Sequence, residues 1–336
     1  MVVGEGPWDG PRRVEDLAAA LALAPADATP WRIGIGPGEW AGPWAITRPN
    51  VALIGVGAGR TRLHADRHAG ALGPDGQAFG TAGSATLAVF APGFSAEALA
   101  IENRFDYPAA LAARTSDPIG ANGLQAVALR LDVAAAGARL RDIALWGHQD
   151  TLLVEALDAH FDRGVIGGSV DTIFGGGEAF FDDVGVITRG RPTRDSLHGI
   201  VCAPSTPITR ETGFVFRRCR FEREPDVPDA SVALARPWRP TRRFADGEYG
   251  DPAAVGAACF LECWMDAHVA ADPWAPMGYR QRDGQRVMLA ARDARFALRG
   301  AHGPGGGRLR DGLSAAEGAA AAGASAPACP CPNPPG

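Results

Sequence analysis

Two short segments of the chain, GHQDTL at 147–152 and VDTIFG at 170–175, each place one aspartate in an otherwise apolar, strand-like run. Asp150 and Asp171 are 171 − 150 = 21 residues apart, about one coil of a β-solenoid. Residues one coil apart lie side by side in such a fold, so the two carboxylates would be close neighbours. Because like charges at short range cannot both ionise easily, one pKa rises and the other falls. The pair could therefore supply an acid and a nucleophile.

Short apolar segments recur along most of the chain, and turn signals separate them every 8–12 residues or so. Three strands per roughly 20–25 residues favour an all-β parallel β-helix (β-solenoid) over a sandwich or a barrel. Residues 14–24 predict a short helix that would cap the N-terminal end. The predicted strands are 31–35, 51–56, 86–90, 99–102, 126–131, 138–145, 151–155, 164–166, 170–174, 179–187, 199–202, 213–221, 231–234 and 257–265. We therefore predict a single catalytic domain over 1–312 and an Ala/Gly/Pro-rich, poorly ordered tail over 313–336.

The composition restricts the classes of function. The 336 residues are 46% hydrophobic and 21% charged, which is typical of a soluble globular protein with a sizeable core. A net charge of −5 gives no basic field for nucleic acid, and no run of about 18 apolar residues predicts a membrane helix. The first residues do not read as a signal peptide. The six cysteines are scattered without CxxC pairs, so we expect free, mostly buried thiols and no metal centre.

Six motifs occur in an order that matches one enzyme family. They are GTAGSAT at 80–86, QAVAL at 125–129, the two aspartate segments, APSTP at 203–207 and LARPW at 234–238. Together they resemble the pectin methylesterases, carbohydrate esterases that demethylate pectin, from about residue 11 to residue 305. The segments 105–109 and 238–251 are most similar to the bacterial branch. The resemblance implies a right-handed parallel β-helix, in agreement with the strand pattern, and no cofactor.

The resemblance also implies roles for five polar residues. Asp171 matches the family nucleophile, and a carboxylate can attack an ester by forming an anhydride-like acyl-enzyme. Asp150 matches the general acid and base. Gln125 and Gln149 match the glutamines whose side-chain amides would donate to the tetrahedral oxyanion. Arg236 matches the arginine whose guanidinium would orient one carboxylate and keep it ionised.

A second group of residues matches the family's substrate cleft. Trp238 matches an aromatic that stacks against a sugar ring. The other cleft candidates, which could equally fill the core, are Thr81, Val170, Phe174, Ala203 and Met277. Arg239, Arg242 and Arg243 could contact galacturonate carboxylates or belong to a solvated basic loop. His148 and Thr172 replace the family's usual tyrosine and phenylalanine, and a histidine beside Asp150 could titrate near neutrality.

The resemblance favours hydrolysis of the C6 methyl esters of galacturonate in pectin, and we expect a monomer that binds neither nucleic acid nor membranes. Another carboxylic ester or acyl-CoA thioester hydrolase could use the same scaffold, although such relatives would be expected to lack the aspartate pair or the Arg-Pro-Trp sequence. Pectin-cleaving hydrolases and lyases also place paired acids on β-helices, and a solenoid could bind polysaccharide without catalysis. The family acts outside the cytoplasm, so we expect a secreted or periplasmic enzyme.

Overall fold

The computed structural model of the chain describes residues 1–7, 12–114, 119, 122–193 and 195–309. Within these residues the helices are short, and they are α1 (Leu17–Ala22), α2 (Gly80–Gly83), α3 (Tyr107–Ala112), α4 (Gly303–Gly306) and a 3₁₀ turn over Ala291–Asp293. None of the helices in this part of the chain is long and apolar enough to cross a membrane. The predicted tail at 313–336 lies outside the described residues.

Strands make up most of the regular structure. In chain order they are β1 (Val2–Val3), β2 (Arg13–Val14), β3 (Trp31–Ile35), β4 (Gly38–Ala41), β5 (Trp44–Ile46), β6 (Val51–Ile54), β7 (Thr61–Ala65), β8 (Leu87–Val89), β9 (Ser95–Glu97), β10 (Ala100–Asn103), β11 (Leu129–Leu131), β12 (Arg139–Trp146), β13 (Leu152–Val154), β14 (Ala159–Gly168), β15 (Ile173–Gly175), β16 (Ala179–Asp182), β17 (Gly185–Thr188), β18 (Gly199–Pro204), β19 (Phe214–Arg217), β20 (Arg220–Arg223), β21 (Val232–Ala235), β22 (Thr241–Phe244), β23 (Gly247–Gly250), β24 (Ala257–Leu261), β25 (Trp264–Met265), β26 (Met277–Arg280), β27 (Arg286–Leu289) and β28 (Arg295–Arg299).

The strands stack into the three faces of a parallel β-helix, which confirms the predicted fold class. One face is the parallel series β5, β8, β11, β13, β15, β18 and β21. The other two faces belong to one large parallel sheet that bends inside β12 and β14. Residues 139–141 of β12 pair with β9, whereas residues 144–146 pair with β10. Asp142 and Arg163, with φ angles of 49° and 58°, make the bend on adjacent coils.

The interior of the helix is a column of apolar side chains that continues from coil to coil. Phe161, Phe181, Phe216 and Phe260 stack face to face, with ring centroids 4.7–4.8 Å apart in each successive pair. All four rings are at most 2% exposed. Such stacked rings add to the burial of apolar surface and fix the alignment of successive coils.

The N-terminal cap is a shorter helix than the sequence predicts. The predicted helix at 14–24 forms only over Leu17–Ala22, because residues 13 and 14 pair as strand β2 with β1 instead. Asp16 caps the helix by accepting a hydrogen bond from the Ala19 N–H at 2.7 Å. Leu17 and Ala20 are fully buried against the first coil. The predicted capping role is therefore confirmed.

Two antiparallel hairpins project from the otherwise parallel fold. One pairs β22 with β23, and the other pairs β26 with β27. Of the three arginines for which a solvated basic loop was one alternative, Arg242 and Arg243 lie in the hairpin strand β22, where both are exposed. The cysteine prediction is incomplete: Cys202, Cys219 and Cys263 are free and buried, but Cys259 is disulfide-bonded.

Two buried histidines make the fold sensitive to acid. Burial lowers the pKa of His268 to about 4 and that of His148 to about 3. Neither ring nitrogen of His268 has a hydrogen-bond partner among the described residues. An unfolded histidine titrates near 6.5, so the unfolded chain takes up these protons first. Stability is therefore complete above about pH 6.5 and decreases as the pH falls towards the folded values.

We expect the free energy of unfolding to be lower at pH 4 than at pH 7.5, with His268 alone contributing about 3 kcal/mol of the difference. Denaturant unfolding at both pH values measures this quantity. His268→Phe should reduce the acid-induced loss by about that amount. The same change at exposed His302 is the matched control. Identical pH dependence in wild type and His268→Phe would contradict the assignment.

Candidate active site

The strand register places Asp150 and Asp171 side by side on adjacent coils. Leu152 of β13 pairs with Ile173 of β15, and an isolated bridge pairs Gln149 with Val170. Both pairings have the same offset, 173 − 152 = 170 − 149 = 21 residues. The Asp150 N–H donates to the Val170 carbonyl at 3.0 Å, which continues the pairing through the aspartate. The predicted juxtaposition of the two residues is therefore found in the structure.

Neither aspartate lies within a strand, which corrects the prediction for Asp171, because the predicted strand 170–174 begins only at Ile173. Asp150 has φ 66° and Asp171 has φ 48°, both in the left-handed region. The two residues form the turn that leads into β13 and β15. Residues other than glycine adopt this conformation at a cost, with aspartate among the more tolerant. Both residues are largely buried, at 7% and 6% exposed.

Arg236 anchors one of the two carboxyls. Its Nε donates to Asp171 Oδ1 at 2.8 Å, and its Nη2 donates to Oδ2. Asp171 and Arg236 are only 6% and 5% exposed, so the pair is shielded from water. Arg236 directly follows β21, and its N–H donates to the Cys202 carbonyl at 3.0 Å. A bidentate buried pair of this kind fixes the orientation of the carboxylate.

Asp150 has the opposite environment. Its side chain is 7% exposed and accepts no hydrogen bond from any described residue. Burial raises the pKa of the Asp150 carboxyl well above its usual range, and the negative charge of Asp171 raises it further. The nearby Arg236 charge opposes this effect without reversing it. Two residues of one type thus have different environments: Asp171 is paired, and Asp150 tends to keep a proton.

The two glutamines are both present beside the aspartates. Gln149 is 2% exposed, and its Oε1 has no hydrogen-bond partner in the described part of the chain. Gln125 is half-buried one coil earlier, where its Oε1 accepts from the Gly123 N–H at 2.8 Å. This bond fixes the amide group of Gln125 with its Nε2 directed away from Gly123. The Ala126 N–H donates to the Gln149 carbonyl at 3.0 Å, so the two residues belong to adjacent, hydrogen-bonded segments.

An apolar strip covers the outer face of the sheet next to the aspartates. It consists of Ala85, Val127, Leu153, Phe174 and Ala203, with Trp238 packed against it. The register aligns three of these residues, because Leu153 pairs with Phe174 and Phe174 with Ala203. The rings of Phe174 and Trp238 are 5.8 Å apart. Trp238 is half-buried.

The remaining predicted cleft residues have mixed positions. Val170, which directly precedes Asp171, is fully buried, so its side chain does not reach the surface. Met277 begins the hairpin strand β26, and the structure shows no contact between it and the apolar strip. Arg239 bonds the Ala254 carbonyl at 3.1 Å, and Arg242 is paired with Asp251 at 2.9 Å. Arg243 is exposed.

The position of His148 beside Asp150 suggested that it could titrate near neutrality. The structure contradicts this expectation. The ring is 6% exposed and stacks on Tyr107 of α3, with centroids 5.4 Å apart. Burial lowers the pKa of His148 to about 3, and the positive charge of Arg189 adds to that effect. The imidazole therefore remains neutral at the pH values where an esterase would work.

One supporting residue, Asn103, belongs to none of the six motifs. Its Nδ2 donates to the carbonyls of Ser84 and Val127 at 3.1 and 3.0 Å. The Ser84 hydroxyl in turn donates to the Thr81 carbonyl at 2.7 Å and accepts from the Val127 N–H at 3.1 Å. This network fixes the coil that carries Gln125. The only signal in the sequence is a polar residue that ends an apolar strand, which many surface strands share.

The fold and the site together define a class of protein. A parallel β-helix that holds two adjacent carboxyls, one fixed by a buried arginine and one with a raised pKa, has the groups from which a hydrolytic site can be built.

Comparison with known proteins identifies the family within that class. The pectinesterase family model matches residues 7–245. Pectinesterase A of Dickeya chrysanthemi is 37% identical over 313 residues, which cover 92% of this chain and 85% of the relative. A solved pectin methylesterase of Erwinia chrysanthemi is 36% identical, with a TM-score of 0.85 over 95% of this chain and 94% of that one. A pectin methylesterase mutant solved with a hexasaccharide is 37% identical, with a TM-score of 0.85 over 90% and 89%. The chain belongs to the pectinesterase family and is a carboxylic ester hydrolase.

Proposed function

We propose that this enzyme hydrolyses the C6 methyl esters of galacturonate units in pectin, releasing methanol and leaving free carboxylates. The observation that carries the proposal is the pair of unlike carboxyls, Asp171 bound by Arg236 and Asp150 with a raised pKa. Ester hydrolysis through a covalent intermediate needs both a nucleophile and a proton donor. The family relationship supplies the substrate class, since the relatives of known structure are pectin methylesterases.

In the first half-reaction, a carboxylate oxygen of Asp171 attacks the ester carbonyl carbon. The bond from that carbon to the methoxy oxygen then breaks, and Asp150 gives its proton to the departing methanol. An anhydride between Asp171 and the sugar carboxyl results. The raised pKa of Asp150 matters here, because methoxide is a poor leaving group without a proton.

In the second half-reaction, water replaces methanol. Asp150, now ionised, takes a proton from the water, and the hydroxide attacks the anhydride at the sugar carbonyl carbon. The bond to Asp171 breaks, which restores both aspartates and releases the sugar as a carboxylic acid, and this acid then loses its proton to solvent to give galacturonate. Arg236 holds Asp171 in one orientation through both steps, so that the same oxygen can leave and attack again.

Gln125 and Gln149 would stabilise the tetrahedral intermediates by donating hydrogen bonds from their side-chain amides to the oxyanion. The supporting observations are the position of Gln149 on the coil before Asp171 and the position of Gln125 one coil before Gln149. The apolar strip and Trp238 would contact the faces and methyl groups of the sugars. Because pectin occurs outside cells, we further propose that the enzyme acts there.

Product analysis tests the proposed function. Purified enzyme is incubated with highly methylated pectin, and methanol, new reducing ends and unsaturated sugars are measured in parallel. We expect methanol alone. Reducing ends would instead indicate glycosidic hydrolysis, and unsaturated sugars a lyase. If folded enzyme releases none of these products, a panel of simple carboxylic esters and acyl-CoA thioesters tests the alternative that the same site serves another acyl substrate.

Replacing Gln149 by alanine should lower kcat for methanol release by about 10²–10³-fold, because one oxyanion donor is lost. KM should change little, since the hydrogen bond is strongest in the transition state. Gln285→Ala in the exposed turn between β26 and β27 is the control with the same substitution. Steady-state kinetics on methylated pectin distinguish the variants. A kcat within about twofold of wild type in Gln149→Ala would remove this residue from the proposed oxyanion site.

A further inference from the structure

Glu155 lies at the far edge of the apolar strip from Asp150. It follows β13 directly and is two residues after Leu153, so it is on the same outward side of the chain. Its Oε1 accepts a hydrogen bond from the Gly176 N–H at 3.3 Å on the next coil. Five residue-to-residue steps separate Asp150 from Glu155 and span at most about 17 Å, so a short oligosaccharide bound beside Asp150 could extend over both residues.

The charged side chains around Glu155 bond to groups other than Glu155. Asp132 on the preceding coil is bonded to Arg130 at 2.5 Å. Arg210 donates to the Gly176 carbonyl at 2.9 Å, and Arg242 of the β22–β23 hairpin is paired with Asp251 at 2.9 Å. Glu155 itself forms no salt bridge with any residue that the structure describes. Its carboxyl is therefore a half-buried acid without a fixed counterion.

Gly176 and Ser205 lie beside this carboxyl. A Cβ atom placed on Gly176 would lie 3.2 Å from Glu155 Oε2 and 3.4 Å from Ser205 Oγ. Ser205 follows β18 and is 5% exposed. Polar atoms therefore lie beside the Glu155 carboxyl, whereas Phe174 and Trp238 belong to the apolar strip.

We propose that Glu155 is a specificity determinant, which makes one subsite of the cleft favour a methyl-esterified galacturonate over a free one. This proposal rests on the proposed pectin methylesterase function. Each turnover converts a neutral ester into a carboxylate, so the polymer carries product charges next to unreacted esters. A sugar carboxylate placed near the ionised Glu155 would be repelled, whereas a methyl ester would not.

Protonation of Glu155 should weaken this discrimination. Burial raises the pKa of the Glu155 carboxyl, and Asp132 raises it further. The Gly176 N–H, Arg242 and Arg210 act in the opposite direction. The enzyme would therefore accept partly demethylated pectin more readily at acid pH, where a larger fraction of Glu155 is neutral.

The test compares kcat/KM per methyl ester on two pectins of equal length, one highly methylated and one largely demethylated. At pH 8 we expect the preference of the wild type for the highly methylated pectin to exceed that of Glu155→Gln by about tenfold. Glutamine keeps an acceptor for the Gly176 N–H, so the fold should be retained, and thermal unfolding checks this. Glu178→Gln removes an equal charge nearby, where the carboxylate bonds the Thr212 hydroxyl at 3.0 Å, and it should behave as wild type.

The pH dependence of the preference provides a second readout. The preference of the wild type should decrease from pH 8 to pH 5, and the preference of Glu155→Gln should stay flat. Equal preferences in wild type and Glu155→Gln at pH 8 would overturn the role of Glu155 while leaving the esterase function intact. If the wild type released no methanol from either pectin, the proposed function would fail, and this proposal with it.

Discussion

Replacing Asp171 by asparagine is expected to lower kcat for methanol release by about 10⁴-fold or more. Asparagine has nearly the same shape, but its amide oxygen cannot form the anhydride that the proposed mechanism requires. The loss should appear in kcat and in kcat/KM together, because the covalent step is removed while the apolar strip and Trp238 remain to bind substrate. Methanol release from highly methylated pectin is the measurement.

The same substitution also removes one partner of a buried ion pair. Arg236 would remain buried with its charge uncompensated, and breaking such a pair typically costs about 3–5 kcal/mol. The activity must therefore be measured where circular dichroism shows the variant to be folded. Asp182→Asn is a matched control, since Asp182 also binds an arginine with both oxygens, at 3.1 and 2.6 Å to Arg217, but lies in strand β16.

Asp182→Asn should retain wild-type kcat. If the folded Asp171→Asn enzyme kept more than about a tenth of the wild-type rate, Asp171 could not be the nucleophile. Trapping gives an independent readout: wild-type enzyme quenched in acid during turnover should carry a sugar acyl group on the peptide that contains Asp171. The variant should carry none.

The spacing of the two aspartates predicted their contact because a β-helix turns a fixed separation in sequence into a fixed neighbour in space. The corners could not be predicted in the same way. Residues 179–187 read as one apolar strand but form β16 and β17, with Asp183 at φ 55° between them. Residues 213–221 and 257–265 are divided at Arg218 and Glu262 in the same manner. Side chains on both sides of a corner face one core, so the apolar pattern continues through it.

The pairing of Arg236 with Asp171 could not be predicted from residue types and spacing alone. The coil from β18 to β21 has a pairing offset of 235 − 202 = 33 residues, between Ala235 and Cys202, because additional segments are inserted. No regular period leads from Asp171 to Arg236, and only the similarity of the LARPW motif to a known family indicated the pair. His148 is the converse case. Its neighbours in sequence suggested a titrating group, but the stacking on Tyr107 depends on a helix about 40 residues earlier, which no local pattern predicts.

Replacing Asp150 by asparagine should lower kcat/KM on methylated pectin by about 10²–10⁴-fold through loss of the general acid and base. In the wild type, kcat/KM should decrease on the alkaline side as Asp150 loses its proton, and the raised pKa of this carboxyl places that limb above the usual range for aspartate. The residual kcat/KM of Asp150→Asn should not show this alkaline decrease. A pH–rate profile of both enzymes from pH 4 to pH 9 provides the comparison.

An ester with a different leaving group distinguishes the two proposed roles of Asp150, as general acid and as general base. A p-nitrophenyl ester of galacturonate releases a stable anion that needs no proton, so acylation of Asp171 should be nearly as fast in Asp150→Asn as in wild type. Deacylation still needs a base, so the variant should give a burst of one nitrophenolate per enzyme followed by slow turnover. A variant that was equally impaired on both esters and showed no burst would mean that Asp150 does not protonate the leaving group.

The raised pKa of Asp150 also affects the stability of the fold. An acid with a raised pKa in the folded state costs stability as the pH rises above its unfolded value, because the unfolded chain then gains by ionising first. Asparagine at position 150 cannot ionise, so the variant should unfold at a higher temperature than wild type at pH 7, and the difference should disappear near pH 3. The turn that carries Asp150 and Asp171 is thus expected to be less stable than it could be, and the proposed role of Asp150 as a proton donor accounts for this cost.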